Sequence, residues 1–311
     1  MRMTSGDWGL LILLSLLWGG SFFFSAVAVR DIPPLTMVVL RTGIAALALA
    51  PIALWRGPGA LSQGPVLAAV AIMGFLNNFV PFSLIFWAQT QIPSGLASIL
   101  NATTPIFSII IAHFALADER MAPGKAVGIL FGFLGVVVLF GPAALGGGLG
   151  AAALGMLACL GAALSYGFAS AYGRRFREMG LRAPQVAFGQ LAATTLLMAP
   201  VALLTDSPFG LPMPGPRTIG AVLALGLLST AVAFVVYFRL LARAGAVNTV
   251  LVTLLVPVSA ILLGRVFLDE ALAPRHFAGM ALIGLGLLAI DGRVFRLLTR
   301  LKPTAAGRSS E

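Results

Sequence analysis

One cysteine, two histidines and 10% charged residues are all that this 311-residue chain offers to most kinds of protein chemistry. Each shortage closes off a function. A lone Cys159 rules out an intrachain disulfide and a cysteine metal cluster. Two histidines without a buried carboxylate pair cannot be assembled into a nucleophile–base constellation or a ligand set, so the expectation is no enzyme and no cofactor. Acidic residues are missing from the middle of every apolar run; Asp118, Glu119, Asp206, Asp269, Glu270 and Asp291 stand at the ends. The glycine-rich stretches 128–135 and 279–286 follow no strand and lack a Walker lysine, so they read as close helix packing rather than phosphate loops.

What is abundant is apolar sequence. The chain is 59% hydrophobic with a mean hydropathy of +1.01, more than a water-soluble domain of this size could cover. Runs such as GLLILLSLLW and VLAAVAIMGFL are apolar on all sides, which suits membrane-spanning helices and not the alternating strands of a barrel. Charged, glycine and proline punctuation divides the chain into ten candidate spans: 8–29, 35–55, 65–88, 92–114, 123–140, 151–173, 184–205, 217–241, 245–268 and 274–293. Ala26-Val27-Ala28 has the look of a signal-peptide cleavage site, but the preceding run is too long and carries only Arg2 ahead of it.

The second half repeats the first. At a shift of 151 residues Asp118-Glu119 meets Asp269-Glu270, Pro123 meets Pro274, Gly128 meets Gly279 and Gly135 meets Gly286; Pro105 and Pro257 fall one residue out of step. The predicted units are residues 1–145, residues 146–293 and a basic cytoplasmic tail, 294–311. Five spans per unit would put the two repeats in opposite orientations, the arrangement that gives alternating access. With the N-terminus inside, fifteen Lys and Arg fall on the cytoplasmic side and four outside (Arg30, Arg217, Arg265 and Arg275), so both termini are expected in the cytoplasm. The formal charge of +10 is therefore a topology signal spread over loops, and no nucleic-acid partner is expected.

Polar residues within spans should face the bundle interior, because lipid cannot satisfy them. The candidates for substrate binding are Trp18, Asn77, Asn78, Trp87, Asn101, Thr104, Tyr166, Thr230, Tyr237 and Asn248. The amides of Asn77, Asn78 and Asn101 lead this set, since an amide is costly to bury without partners. Hydroxyls often bond their own helix instead, and Trp87 and Tyr237 are equally readable as packing or interface residues. Pro81, Pro105 and Pro257 free carbonyls or introduce kinks, of which the kink is the plainer expectation. Arg41, alone within the second span, either answers a substrate carboxylate or holds the fold; the structural role is the one expected. His113, near a span end, is a weak candidate for a proton carrier.

Three features together carry a family resemblance: LLSLLWGGSFF at 13–23, Arg41 within VVLRTGIAALAL, and the doubled order of proline-containing helix, Asp-Glu, Pro and glycine-rich helix. Over residues 8–293 the chain resembles the EamA-type ten-helix members of the drug/metabolite transporter superfamily. The resemblance implies an all-α membrane protein of ten transmembrane helices in two inverted five-helix repeats. It further implies a central cavity lined by the first, third, fourth, sixth, eighth and ninth helices. A glutamate on which small multidrug relatives depend is missing from this first helix, which disfavours proton-for-cation exchange of that kind. The function expected is export of small metabolites, amino acids first, across a bacterial inner membrane. Export of lipid-like or toxic compounds and a non-transporting membrane subunit are the alternatives. A small-molecule substrate and the lipid bilayer are the expected partners, with self-association left open.

Overall fold

The computed structural model describes residues 3–55, 57, 59–116, 123–141, 150–249 and 251–291. The pair Asp118-Glu119, the boundary at 145 and 146 and the tail 294–311 lie outside the described residues. Among the described residues the chain is helical, with no strand. The principal helices are α1 (Ser5–Ala28), α2 (Pro34–Leu54), α3 (Gly64–Ala88), α4 (Ser94–Ala115), α5 (Pro123–Phe140), α6 (Ala151–Tyr172), α7 (Ala183–Thr205), α8 (Pro216–Ala244), α9 (Val252–Leu268) and α10 (Pro274–Asp291). Seven of them are long and apolar enough to cross a membrane, and α5, α9 and α10 are shorter apolar helices. Helix ends differ from the expected ones by no more than about three residues, except at the start of α9, where Ala246–Thr249 forms a separate turn.

The ends are legible because proline marks the starts. Pro34, Pro123, Pro216 and Pro274 each open a helix, where a missing N–H costs nothing and the fixed φ is already helical. Asp269 closes α9 in the left-handed region at φ 55, a conformation Asp tolerates better than most residues. At α1 the cap is reciprocal: the Asp7 amide donates to the Thr4 hydroxyl at 3.3 Å and the Thr4 amide to the Asp7 carboxylate at 3.0 Å.

Helix interiors are less regular than composition predicts. Within α3, Phe75–Phe79 is a π segment, and Val80 donates back to the Phe75 carbonyl. Pro81 follows directly and has no N–H to give to a carbonyl one turn back, which accounts for the shifted ladder. Within α8, Leu227–Val232 is a second π segment, beginning 152 residues after the first. Helix α4 breaks at Ala102 and Thr103 and restarts at Thr104, so Pro105 falls in a first turn. Of the three prolines expected to kink a span, Pro81 and Pro105 thus stand just after an interruption, and Pro257 alone lies inside a regular helix.

Small residues set the closest approaches. A methyl at Gly128 would lie 2.5 Å from the Gly286 carbonyl oxygen, and one at Gly135 2.7 Å from that of Gly279, so α5 and α10 touch through backbone. The glycine stretches accordingly do pack helix on helix. Gly19 of α1 leaves room for Ser259 of α9, whose hydroxyl donates to the Ser15 carbonyl at 2.7 Å. In lipid such contacts, and not apolar burial, hold helices together.

Candidate functional site

Arg41 is the eighth residue of α2 and only 7% of its surface is exposed. Its Nε donates to the Thr230 hydroxyl at 3.0 Å, and Thr230 donates in turn to the Leu225 carbonyl at 2.8 Å, five residues back. Thr230 itself lies within the π segment of α8. The guanidinium lies over the Phe82 ring of α3, 3.8 Å from its centroid, with Phe86 5.8 Å away. Tyr166 of α6 stands within electrostatic range. Helices α2, α3, α6 and α8 therefore meet around one cation.

Nothing among the described residues neutralises that cation. Among the described residues no carboxylate pairs with Arg41, and its two Nη groups have no hydrogen-bond partner. No backbone carbonyl among the described residues accepts from it either, whereas a purely structural arginine would be expected to bond such carbonyls. An unpaired buried guanidinium costs several kcal/mol, of which a ring face recovers about 2.

The expected site residues divide by what they touch. Trp18 and Tyr237 meet as tilted rings with centroids 5.5 Å apart, joining α1 to α8 two turns beyond Thr230. The Asn77 side chain donates to Gln190 Oε1 of α7 at 3.0 Å, and that of Asn78 to the Thr194 hydroxyl at 3.4 Å. Both asparagines thus spend a donor on α7, a helix that the sequence reading did not place at the site. Thr104 donates to the Asn101 carbonyl at 2.7 Å and closes the break in α4, and Asn248 donates to the Ala244 carbonyl at 2.8 Å. Trp87 is 41% exposed at the end of α3 and joins none of these groups. Three buried acceptors near the interruptions have no partner: Asn78 Oδ1, Asn101 Oδ1 and Ser229 Oγ.

Two features escaped the sequence reading. Gln190 and Thr194 in α7 are the partners that the α3 asparagines require, and a polar pair one turn apart was the available signal. Glu270, at the end of an apolar run, caps α4: its carboxylate accepts from the Ser94 amide at 2.9 Å, the Ser94 hydroxyl at 2.8 Å and the Gly95 amide at 3.2 Å. Gly264 makes room for this clasp, since a methyl there would lie 2.5 Å from Glu270 Oε2. At the ends of the α1–α8 pair, Arg243 meets Asp7 at 2.9 Å and the Thr218 hydroxyl donates to Asp31.

A cavity of about 110 Å³ opens between α4 and α6 beside Ser108, Ser170 and Arg174, and one of about 40 Å³ lies against Pro257 between α4, α9 and α10. Neither is lined by Arg41. Among the described residues no group of three His, Cys, Asp or Glu could hold a metal ion.

Comparison with known proteins gives a consistent result. The model of the EamA-like transporter family matches twice, over residues 7–141 and 153–290. The uncharacterized transporter YoaV of Bacillus subtilis (strain 168) is 30% identical over 282 residues, covering 89% of this chain and 94% of that protein. The uncharacterized inner membrane transporter YedA of Escherichia coli (strain K12) is 28% identical, covering 96% and 94%. A probable amino-acid metabolite efflux pump of the same organism is 26% identical, covering 92% and 94%. A protein of known crystal structure superimposes with a TM-score of 0.65 at 25% identity, over 97% of this chain and the whole of that one.

Proposed function

The chain belongs to the EamA-like transporter family, and from that premise we propose a secondary transporter that exports small polar metabolites, amino acids foremost, across a bacterial inner membrane. Residues 1–145 and 146–293 act as two inverted five-helix halves, with both termini and the tail 294–311 in the cytoplasm. Substrate enters from the cytoplasm between the halves, and rocking of one against the other exposes it outside.

The observation that carries this reading is the matched pair of interruptions. The π segments of α3 and α8 lie 152 residues apart, nearly the shift of the sequence repeat. Each brings a polar side chain, Asn78 or Thr230, to a buried position. Irregular helix at membrane depth is tolerated where it lines a site or meets other protein, and a pair related by the repeat is what an alternating carrier requires. Similarity to a probable amino-acid metabolite efflux pump supports the substrate class. The lack of an acid at mid-span favours export down the substrate gradient over coupling through a buried carboxylate, with coupling through other groups the alternative.

Counterflow in proteoliposomes tests the proposal. Vesicles loaded with unlabelled amino acids, without a pH gradient, are expected to accumulate a labelled amino acid saturably. No accumulation of any, by protein that is monodisperse and folded, would overturn amino-acid export and favour the lipid-like or toxic compounds.

A further inference from the structure

We propose that Arg41 is the carboxylate-binding residue of the transport site, so that the substrates are compounds with a free carboxylate. The inference rests on the transport reading above and adds the group by which substrate is recognised. Its ground is an imbalance within the fold. A guanidinium keeps its charge even when buried, and Arg41 is 7% exposed with one neutral hydrogen-bond acceptor, Thr230 Oγ1, and aromatic faces for company. The two Nη groups form the planar fork that matches a carboxylate, and among the described residues nothing occupies them. An arginine whose work was to fasten helices would spend that fork on carbonyls or a carboxylate of its own chain.

The surroundings fit a carboxylate carried by a zwitterion. Asn78 Oδ1, buried and without a partner, stands four residues before Phe82 on α3, and Ser229 Oγ, likewise unpartnered, adjoins Thr230 on α8. These acceptors are the kind an ammonium group needs close to the anion. The Phe82 ring shelters the cation at 3.8 Å. Opening between α3 and α8 would exchange that weaker contact for two charge-assisted hydrogen bonds to substrate. Affinity gained only in the loaded state is what biases a carrier toward its occupied conformations.

The test is competition. The labelled amino acid with the strongest counterflow in the wild type is challenged with the unlabelled acid, its amide and its decarboxylated amine. The amide and amine are expected to compete at least about tenfold less well than the acid, the scale of a lost charge-assisted pair. In Arg41→Gln the preference for acid over amide should collapse toward unity, and in Arg41→Lys part of it should remain. A wild type that accepts amide and acid equally would overturn the inference while leaving amino-acid export standing. So would a folded Arg41→Gln that is slower but keeps the full preference, the signature of a structural arginine. If Arg41→Gln does not fold, the wild-type competition and the Lys variant decide. A wild type that accumulates no amino acid removes the export reading and this inference with it, a result distinguishable because there is no uptake to compete against.

Discussion

Substitution of Gly128 by alanine tests the backbone contact between α5 and α10 with the smallest possible perturbation. The added methyl would sit 2.5 Å from the Gly286 carbonyl oxygen, 2.6 Å from Ile290 Cγ1 and 3.1 Å from the Ile290 amide nitrogen. Ile290 Cγ1 can rotate away, but the carbonyl belongs to the backbone of another helix and cannot. Ordinary contact begins near 3.4 Å, so the helices must separate locally by about 0.9 Å. A gap of roughly that size forfeits a quarter to a half of the dispersion energy of each atom pair it opens. The expected loss is about 1–3 kcal/mol, as for other insertions into packed interiors. Gly124 supplies the control from the same helix: a methyl there meets nothing within 4 Å, so Gly124→Ala should be neutral or gain up to about 1 kcal/mol of helix propensity. The assay is thermal unfolding of both variants in detergent. Because one separation relieves both clashes, Gly128→Ala and Gly286→Ala together should cost less than the sum of their separate effects. A Gly128→Ala protein as stable as Gly124→Ala would refute the argument that these helices touch through backbone.

Removing the Glu270 carboxylate should loosen the start of α4. Glu270→Ala leaves the amides of Ser94 and Gly95 without acceptors and should cost about 1–2 kcal/mol, as loss of a helix cap does; faster hydrogen exchange confined to 94–97 is the local readout, and unchanged exchange there would contradict the clasp. Asn77→Ala and Gln190→Ala should each destabilise the α3–α7 contact, with a double-mutant coupling of about 0.5–1.5 kcal/mol and with acid-over-amide preference retained; a loss of substrate selectivity in Asn77→Ala would place this amide at the substrate instead.

Helix positions were legible and helix faces were not, for a physical reason. A span's length is written in the distance between charged and proline punctuation, and proline at the first helical position marks its start twice over. The face it presents to its neighbours is normally read from amphipathic phase, and a helix that is apolar on all sides has none. Small residues compensate in part, so α5 and α10 could be read as closely packed from Gly128, Gly135, Gly279 and Gly286. The interruption in α3 had a visible cause in Pro81. That in α8 had none, because it contains no proline; within it the Thr230 hydroxyl bonds the carbonyl five residues back.

The candidate site was harder to read because a polar residue in a span announces only that it needs a partner. Asn77 finds one 113 residues away in Gln190, Thr104 finds one within its own helix, and Asn248 finds one at the last residue of α8. Such residues have settled their cost inside the fold and have little left to offer a ligand. Asn78 and Ser229 have not, since a buried polar atom on each remains unmatched, and the Arg41 Nη groups have no hydrogen-bond partner among the described residues. Unmatched groups at this depth destabilise the empty protein, and a substrate that satisfies them repays that cost only while it is bound. On that reasoning the asparagines that dominate a span-by-span reading are divided in function, with the donors of Asn77 and Asn78 serving the α3–α7 contact. The single arginine, read from sequence as a structural residue, is the one that the proposal above makes a recognition group.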